Sequence, residues 1–184
     1  IETPEGNLLI DAPEGVDEWL ENRGVRVDHV LLTHQHYDHV EGAAAMQAAG
    51  AKLHAFAPYS TTLTLEEPAR QWGMPIRVTP YTIDAFIKAG SFEIAGLQFT
   101  AAHLPGHATD GMIFHLPAAG VVFAGDTLFA GSIGRPDLPG GDQQLLLDGI
   151  ARHLLTLPPQ TRVLSGHGPE TTIGREAAGN PFLR

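Results

Sequence analysis

Three histidines and one aspartate lie within the six residues from 34 to 39, where the sequence reads His-Gln-His-Tyr-Asp-His. Imidazole nitrogens and carboxylate oxygens suit Zn, Fe and Mn, and the absence of cysteine argues against a structural zinc site of the finger type. One tetrahedral ion cannot take four ligands from this short segment and stay open to a substrate. The residues His34, His36, Asp38 and His39 therefore predict two metal ions that share the segment.

Three later positions repeat a second pattern, in which an apolar strand runs into a glycine and then into a side chain that can bind a metal. They are His107 after Leu-Pro-Gly, Asp126 after Phe-Ala-Gly and His167 after Leu-Ser-Gly. The glycine lets the backbone turn sharply, so that the side chain can face a site. Taken singly, each is an ordinary loop residue, but together with the segment 34–39 they predict further ligands.

Short apolar strands and a few helices must position these side chains. The apolar run 28–33 predicts a buried strand that leads directly into the histidine segment, which we expect to form a strand-to-helix loop. The alanine-rich run 42–49 predicts a helix that ends at Gly50. Further strands are predicted at 7–11, 51–56, 92–94, 97–102, 112–116, 121–124 and 162–165, and further helices at 16–22, 66–72, 142–155 and 172–178. This mixture suggests two packed sheets flanked by helices.

Composition bounds the classes of function. The chain has 184 residues and a formal net charge of −10, which argues against nucleic acid or an anionic membrane surface as a partner. It has no cysteine, which excludes disulfides and thiol catalysis. No apolar run approaches the ~20 residues that span a bilayer, and no signal segment stands at the start, so we expect a cytoplasmic protein.

The His-x-His-x-Asp-His run, followed in order by His107, Asp126 and His167, resembles the metallo-β-lactamase superfamily along nearly the whole chain. The resemblance implies a single α/β (α+β) domain over residues 1–184, a four-layer αβ/βα sandwich with the metal site at the edge between the two sheets. It also implies two divalent ions, most simply Zn, with Fe or Mn as alternatives. One ion would take His34, His36 and His107, the second would take Asp38, His39 and His167, and Asp126 would bridge them.

Within the superfamily the chain is similar to small bacterial glyoxalase II-like (hydroxyacylglutathione hydrolase-like) proteins. The similarity is carried by residues 131–142, 165–176 and 180–183. Two other branches fit less well. Zinc β-lactamases commonly carry Cys where Asp126 stands, and flavodiiron proteins carry Glu where His36 stands. Full-length glyoxalase II enzymes have a C-terminal helical extension that supplies much of the glutathione contact, and we expect this chain to lack it. The family usually begins with one more strand than this chain shows, so we also expect a strand to be missing from its front.

These features predict a binuclear metallohydrolase that cleaves a thioester, such as S-lactoylglutathione, with a hydroxide that bridges the ions. Asp38 is the predicted catalytic residue, which orients the nucleophile or accepts its proton. Arg135 and Asp137 either contact the substrate or pair with each other to shape the pocket, and Tyr37 either lines the mouth of the site or packs. The expected partner is a small thioester or ester.

Three alternatives remain open. The first is a mononuclear iron persulfide dioxygenase, because related proteins of that kind have a similar Gly-Arg-x-Asp loop. The second is a lactone or ester hydrolase, and the third is a non-enzymatic metal-binding domain. Five histidines fall away from the loop ends and are predicted to be core or surface residues: His29, His54, His103, His115 and His153.

Overall fold

The structure, a computed structural model, describes all residues from 1 to 184. The chain divides into two compact units, Ile1–Ile87 and Lys88–Arg184. Each unit contains a β-sheet and α-helices, so the chain is a mixed α/β protein.

The first unit contains a five-stranded sheet in the order β1-β2-β3-β4-β5. Strands β2 to β5 are parallel to one another, and β1 pairs antiparallel with β2. The elements of this unit are β1 (Glu2–Thr3), β2 (Gly6–Ile10), α1 (Val16–Glu21), β3 (His29–Leu31), α2 (Tyr37–Val40), α3 (Ala43–Ala48), β4 (Lys52–Ala55), α4 (Glu66–Gln71) and β5 (Ala85–Phe86).

A hydrophobic core joins one face of this sheet to the helices. Val30, Leu53 and Val40 are fully buried there, together with Ala43 of α3.

The parallel pairing of β2 and β3 has a consequence for the histidine segment. Because the carboxyl ends of parallel strands meet at one edge of a sheet, the residues that follow β2 and β3 are brought together there.

The second unit contains a six-stranded sheet in the order β13-β12-β9-β8-β7-β6 and a separate two-stranded ribbon, β10-β11. Its elements are β6 (Gly90–Ile94), β7 (Leu97–His103), β8 (Met112–Leu116), β9 (Val121–Gly125), β10 (Leu128–Phe129), β11 (Ser132–Ile133), α5 (Gln143–Gly149), β12 (Arg162–Ser165), β13 (Thr171–Thr172) and α6 (Ile173–Gly179). Short 3-10 turns cover Pro117–Ala119 and Pro181–Leu183.

The pairing in this sheet brings three loop ends to one edge. Consecutive strands from β6 to β9 pair antiparallel, which makes β7 parallel to β9, and β12 pairs parallel with β9. The carboxyl ends of β7, β9 and β12 therefore lie at the same edge. These are the strands that precede His107, Asp126 and His167. The core under them includes the fully buried Leu104, Leu146 and Ile150.

Most predicted elements are present, with three corrections. The prediction that the whole segment 34–39 is a loop is wrong for residues 37–39, which open α2. The strand predicted at 7–11 ends at Ile10, because Asp11 turns into the left-handed region with φ 58°. The helix predicted over 142–155 is α-helical only over Gln143–Gly149 and continues as a π-helical turn over Ile150–Leu154.

Candidate metal centre

The loop after β3 holds His34 and His36 close together. Their ring centroids are 4.6 Å apart in an edge-on arrangement, and their donor nitrogens lie within 4.8 Å of each other. The intervening Gln35 is fully buried and anchors the loop. Its amide donates to the Ala57 carbonyl (3.0 Å), and its carbonyl oxygen accepts from the Tyr81 hydroxyl (2.9 Å). A buried side chain therefore holds the backbone from which both imidazoles project.

Asp11 orients the third histidine of the segment. One carboxylate oxygen accepts from the Thr33 backbone N–H (2.6 Å), and the other accepts from the Thr33 hydroxyl (2.7 Å) and from Nδ1 of His39 (2.8 Å). All three residues are buried. An imidazole that donates through Nδ1 carries its lone pair on Nε2, the nitrogen that a metal ion requires. The His39 ring lies 4.0 Å from that of His34, centroid to centroid.

Sequence reasoning missed Asp11, although a signal was present. An apolar strand running into a carboxylate is the pattern that predicted Asp126, and residues 7–11 (Asn-Leu-Leu-Ile-Asp) show the same pattern. The sequence alone predicts this run only as a strand. The structure shows that its final carboxylate acts on a histidine 28 residues away.

Asp38 and Tyr37 occupy the first turn of α2, and both are half-buried. A carboxylate oxygen of Asp38 and a ring nitrogen of His39 lie within 4.8 Å of each other. The Tyr37 ring packs against the hydrophobic core of the first unit. Burial, and secondly the charges of Asp38 and Glu41, raise the pKa of the Tyr37 phenol above its ordinary value, so it stays protonated at neutral pH.

In the second unit, His107 follows a turn that only glycine can make. Gly106 has φ +125°, and a Cβ there would lie 2.6 Å from the backbone oxygen of Asp142 and overlap the backbone nitrogen of Leu146. The turn is therefore pressed against the first residues of α5. His107 is buried, and its Nδ1 lies 3.0 Å from the backbone carbonyl of Arg135, to which it donates. This contact places the lone pair on Nε2, as in His39.

Asp126 stands between two histidines of the same unit. Its Oδ2 lies 3.6 Å from Nε2 of His107 and 3.5 Å from Nε2 of His167. The side chains of Asp126 and His107 are largely buried, whereas that of His167 is 56% exposed. The three predicted ligands of this unit are thus brought together, with the carboxylate in the middle and one imidazole open to solvent.

Arg135 and Asp137 form an ion pair with each other. The guanidinium donates to both carboxylate oxygens, at 2.8 and 2.7 Å, and both side chains are nearly two-thirds exposed. The hydrogen bond from Arg135 lowers the pKa of Asp137 to about 2. Of the two roles predicted for this pair, the structure shows the ion pair, and substrate contact stays a prediction.

The donor chemistry fits divalent metal ions. Two ligands that bind one tetrahedral ion at about 2.1 Å lie roughly 3.4 Å apart, close to the 3.5 and 3.6 Å that separate Asp126 from its two histidines. Every donor is an imidazole nitrogen or a carboxylate oxygen, the set that suits Zn, Fe and Mn. His39 and His107 also have the hydrogen-bond acceptors that hold metal-binding imidazoles in place.

Comparisons with known proteins identify the family of this chain. The family model of the metallo-beta-lactamase superfamily matches residues 1–167. Hydroxyacylglutathione hydrolase GloC of Haemophilus influenzae is 36% identical over 193 residues, which cover 97% of this chain and 88% of that protein. The chain belongs to the metallo-beta-lactamase superfamily.

Two solved structures show the same fold over the whole chain. The BLEG-1 B3 metallo-beta-lactamase has a TM-score of 0.88 at 33% identity, covering 100% of this chain and 91% of its own. TTHA1623, solved in a di-iron-bound form, has a TM-score of 0.83 at 40% identity, covering 100% and 92%. These similarities confirm the predicted metallo-β-lactamase fold class and the resemblance to hydroxyacylglutathione hydrolases. The superfamily is one of metal-binding hydrolases, so the coarse prediction of a metal-dependent enzyme is also confirmed.

No α-helix in the structure has the length and apolar character needed to cross a membrane.

Proposed function

We propose that this chain is a two-metal hydrolase that cleaves a small thioester, such as S-lactoylglutathione or a related acyl-thiol. The observation that carries the proposal is the position of Asp126, whose Oδ2 lies about equally far from the Nε2 atoms of His107 and His167. A carboxylate so placed can serve two ions at once. The substrate class is supported by the 36% identity to the hydroxyacylglutathione hydrolase GloC over nearly the whole chain.

The proposed ligands are seven side chains that offer nitrogen or oxygen to a divalent ion: His34, His36 and His107 for one ion, Asp38, His39 and His167 for the other, and Asp126 shared. We propose Zn as the resident metal, with Fe or Mn accepted by the same donors. Support for iron comes from the relative solved in a di-iron-bound form. All seven residues follow strand ends or open a helix directly after one, where a rigid sheet holds them in position.

Divalent ions bound to such donors make water a nucleophile at neutral pH and polarise a carbonyl group. Asp38 is proposed to orient the attacking water and to accept its proton. The reaction forms a C–O bond from water and breaks the C–S bond. The products are a carboxylate, a thiolate that takes up a proton to become the thiol, and one proton released to solvent. A thiolate is a good leaving group, so a dedicated general acid is not required.

Arg135 is proposed to contact the substrate through its side chain, with Asp137 holding the guanidinium in place. The guanidinium is 63% exposed and is oriented by two hydrogen bonds, which suits it to meet an anionic thiol carrier. Tyr37, half-buried on α2, is proposed to line the mouth of the site with its protonated phenol.

Metal analysis combined with a substrate panel tests the proposal. The panel contains S-lactoylglutathione, a glutathione-free acyl thioester, a lactone and a β-lactam, the last because a structure named as a B3 metallo-beta-lactamase is 33% identical. We expect two metal ions per chain and the highest kcat/KM with the glutathione thioester. Replacing Asp126→Asn is expected to remove at least one ion and to lower kcat/KM by about 100-fold or more. Asp137→Asn, the same change at an exposed position, is the matched control and is expected to keep both ions.

Two results would overturn the proposal. Thioester turnover that survives complete metal removal would exclude a metal-dependent mechanism. One iron per chain, with oxygen consumed when glutathione persulfide is added, would replace hydrolysis by persulfide oxidation. A preference for the lactone would keep the metal chemistry and change the substrate class.

A further inference from the structure

Glu176 in α6 is a nearly fully buried carboxylate, 1% exposed. Its Oε2 accepts from the Gly131 backbone N–H (2.8 Å) and from the Asn180 side-chain amide (2.9 Å), and its Oε1 accepts from the Thr171 hydroxyl (2.5 Å). Removing a carboxylate from water is costly unless hydrogen bonds replace its hydration. A buried acid with three donors aimed at it is therefore a built feature of the unit, and none of the proposed chemistry uses it.

One side of Glu176 holds the β10–β11 ribbon. Gly131 makes the turn of the ribbon with φ +72°, and Asn180 donates from the same amide nitrogen to the Ser132 carbonyl (2.9 Å). The chain leaves β11 through Gly134, where a Cβ would overlap the backbone carbonyl oxygen of Asp126. A shift of the ribbon would therefore move the residues that follow it.

The residue that follows Gly134 reaches a proposed metal ligand. The backbone carbonyl of Arg135 accepts from Nδ1 of His107 at 3.0 Å and so sets the direction in which Nε2 points. The link from Glu176 to His107 thus runs through Gly131, the short strand β11 and the Arg135 carbonyl.

The other side of Glu176 holds the loop that carries His167. Thr171 lies in β13, which pairs with β12 through Val163, and His167 lies in the connection between these two strands. The Ser165 hydroxyl also donates to the Leu128 carbonyl (2.7 Å), which ties the end of β12 to the ribbon. Glu176 therefore joins, in one carboxylate, the two segments that support the histidines on either side of Asp126.

We propose that Glu176 is a positioning residue that sets the spacing of His107 and His167 around Asp126 and thereby tunes metal affinity. The inference rests on the proposed function, because it takes both histidines as metal ligands. A carboxylate suits this role better than a neutral side chain, because it accepts from donors on both sides without offering a hydrogen of its own.

The test is Glu176→Gln, which keeps the shape and places an N–H group against one of the donors. Zn²⁺ affinity is measured by competition with a chromophoric chelator, and the visible spectrum of the Co²⁺-substituted protein reports the geometry of the ligands. We expect affinity at the weaker site to fall about 10–100-fold, the magnitude typical of residues that support metal ligands, and the Co²⁺ spectrum to change. Glu170→Gln is the matched control. Glu170 is exposed, lies in the connection between β12 and β13 that also carries His167, and pairs only with Arg162 at the surface.

Hydrogen exchange of the metal-free protein gives a readout that does not depend on activity. Glu176→Gln is expected to speed exchange by about tenfold or more in residues 131–137 and in residues 166–171. Thr171→Val removes only the donor on the His167 side, so it should speed exchange in 166–171 and leave 131–137 unchanged. This milder variant decides the question if Glu176→Gln does not fold.

The outcomes separate the two levels of the proposal. A wild-type chain that binds no divalent metal would overturn the proposed function. A wild-type chain that binds two ions, with Glu176→Gln binding them equally tightly and giving the same Co²⁺ spectrum, would overturn the positioning role alone. A loss of stability without either change would show that Glu176 serves only the fold.

Discussion

Replacing Asp11 by asparagine should switch the tautomer of His39. An amide keeps one oxygen and puts an NH₂ group in place of the other. The Thr33 backbone N–H, 2.6 Å from Oδ1, can only donate, so it claims the remaining oxygen. The NH₂ group then faces the Thr33 hydroxyl, which can turn to accept, and Nδ1 of His39. His39 can accept there only if its hydrogen moves to Nε2, the nitrogen proposed to bind the metal.

The hydrogen bonds of Asp11 set the expected loss of metal affinity and of stability in Asp11→Asn. Loss of a partner that orients a metal-binding histidine typically weakens metal binding about 10–100-fold. The free energy of unfolding of the metal-free protein should fall by about 1–3 kcal/mol, because hydrogen bonds to a buried carboxylate are replaced by weaker bonds to a neutral amide. Backbone strain adds nothing, because asparagine tolerates the left-handed φ of 58° at position 11 as aspartate does. This is the reason for choosing asparagine over alanine.

Chelator competition measures the affinity of Asp11→Asn, and ¹⁵N chemical shifts of the imidazoles in the metal-free protein report the tautomer of His39. Asp137→Asn makes the same chemical change at an exposed site and should leave both measurements unchanged. If Asp11→Asn folds and binds metal within about twofold of the wild type, the assignment of Asp11 as the residue that orients His39 is refuted.

Three further predictions concern the turn, the pH dependence and the exposed loop. Gly106→Ala should lower the free energy of unfolding by more than about 3 kcal/mol in urea titrations, because its Cβ overlaps backbone; Gly50→Ala, also at positive φ but with open space around it, should cost only about 1–2 kcal/mol. Burial, and secondly the charge of His29, lower the pKa of His54 from 6.5 to about 4. The unfolded chain therefore binds more protons than the folded chain between pH 6.5 and 4, and the free energy of unfolding should fall as pH drops through this window; His54→Gln should reduce that slope, and an unchanged slope would contradict the assignment. Arg135→Ala should leave the metal content at the wild-type value, because the contact to the metal site is made by the backbone carbonyl, and should raise KM for an anionic thioester in steady-state assays.

The sequence predicted the parts of the site that follow local patterns. The predicted ligands are marked by residues close to them in the sequence. An apolar strand precedes His34, and a glycine precedes each of His107, Asp126 and His167. The structure places all four of these ligands after the end of a strand. The ribbon β10–β11 was not predicted, because its strands have two residues each and show no periodicity.

Contacts between distant residues could not be predicted from one sequence. Asp11 acts on His39 across 28 residues, and Glu176 acts on Gly131 across 45. The pairing of β2 with β3 brings Asp11 near His39, and α6 brings Glu176 near Gly131. Charge and composition do not reveal such pairs. The π-helical turn after Gly149 was missed for a related reason, because its apolar residues fit an ordinary helical period.

The hydrogen bond from His107 to the main-chain carbonyl of residue 135 lets one loop do two things independently. Its backbone orients the histidine, and its side chains are free to contact the substrate. Any residue at position 135 supplies the same carbonyl oxygen, so the side chains at 135 and 137 can be exchanged without disturbing the histidine. The loop is in this respect a natural site for a combinatorial library. Variants randomised at positions 135 and 137 should retain their metal and differ in substrate preference. The substrate specificity of one hydrolytic centre could then be changed without changing its metal ligands.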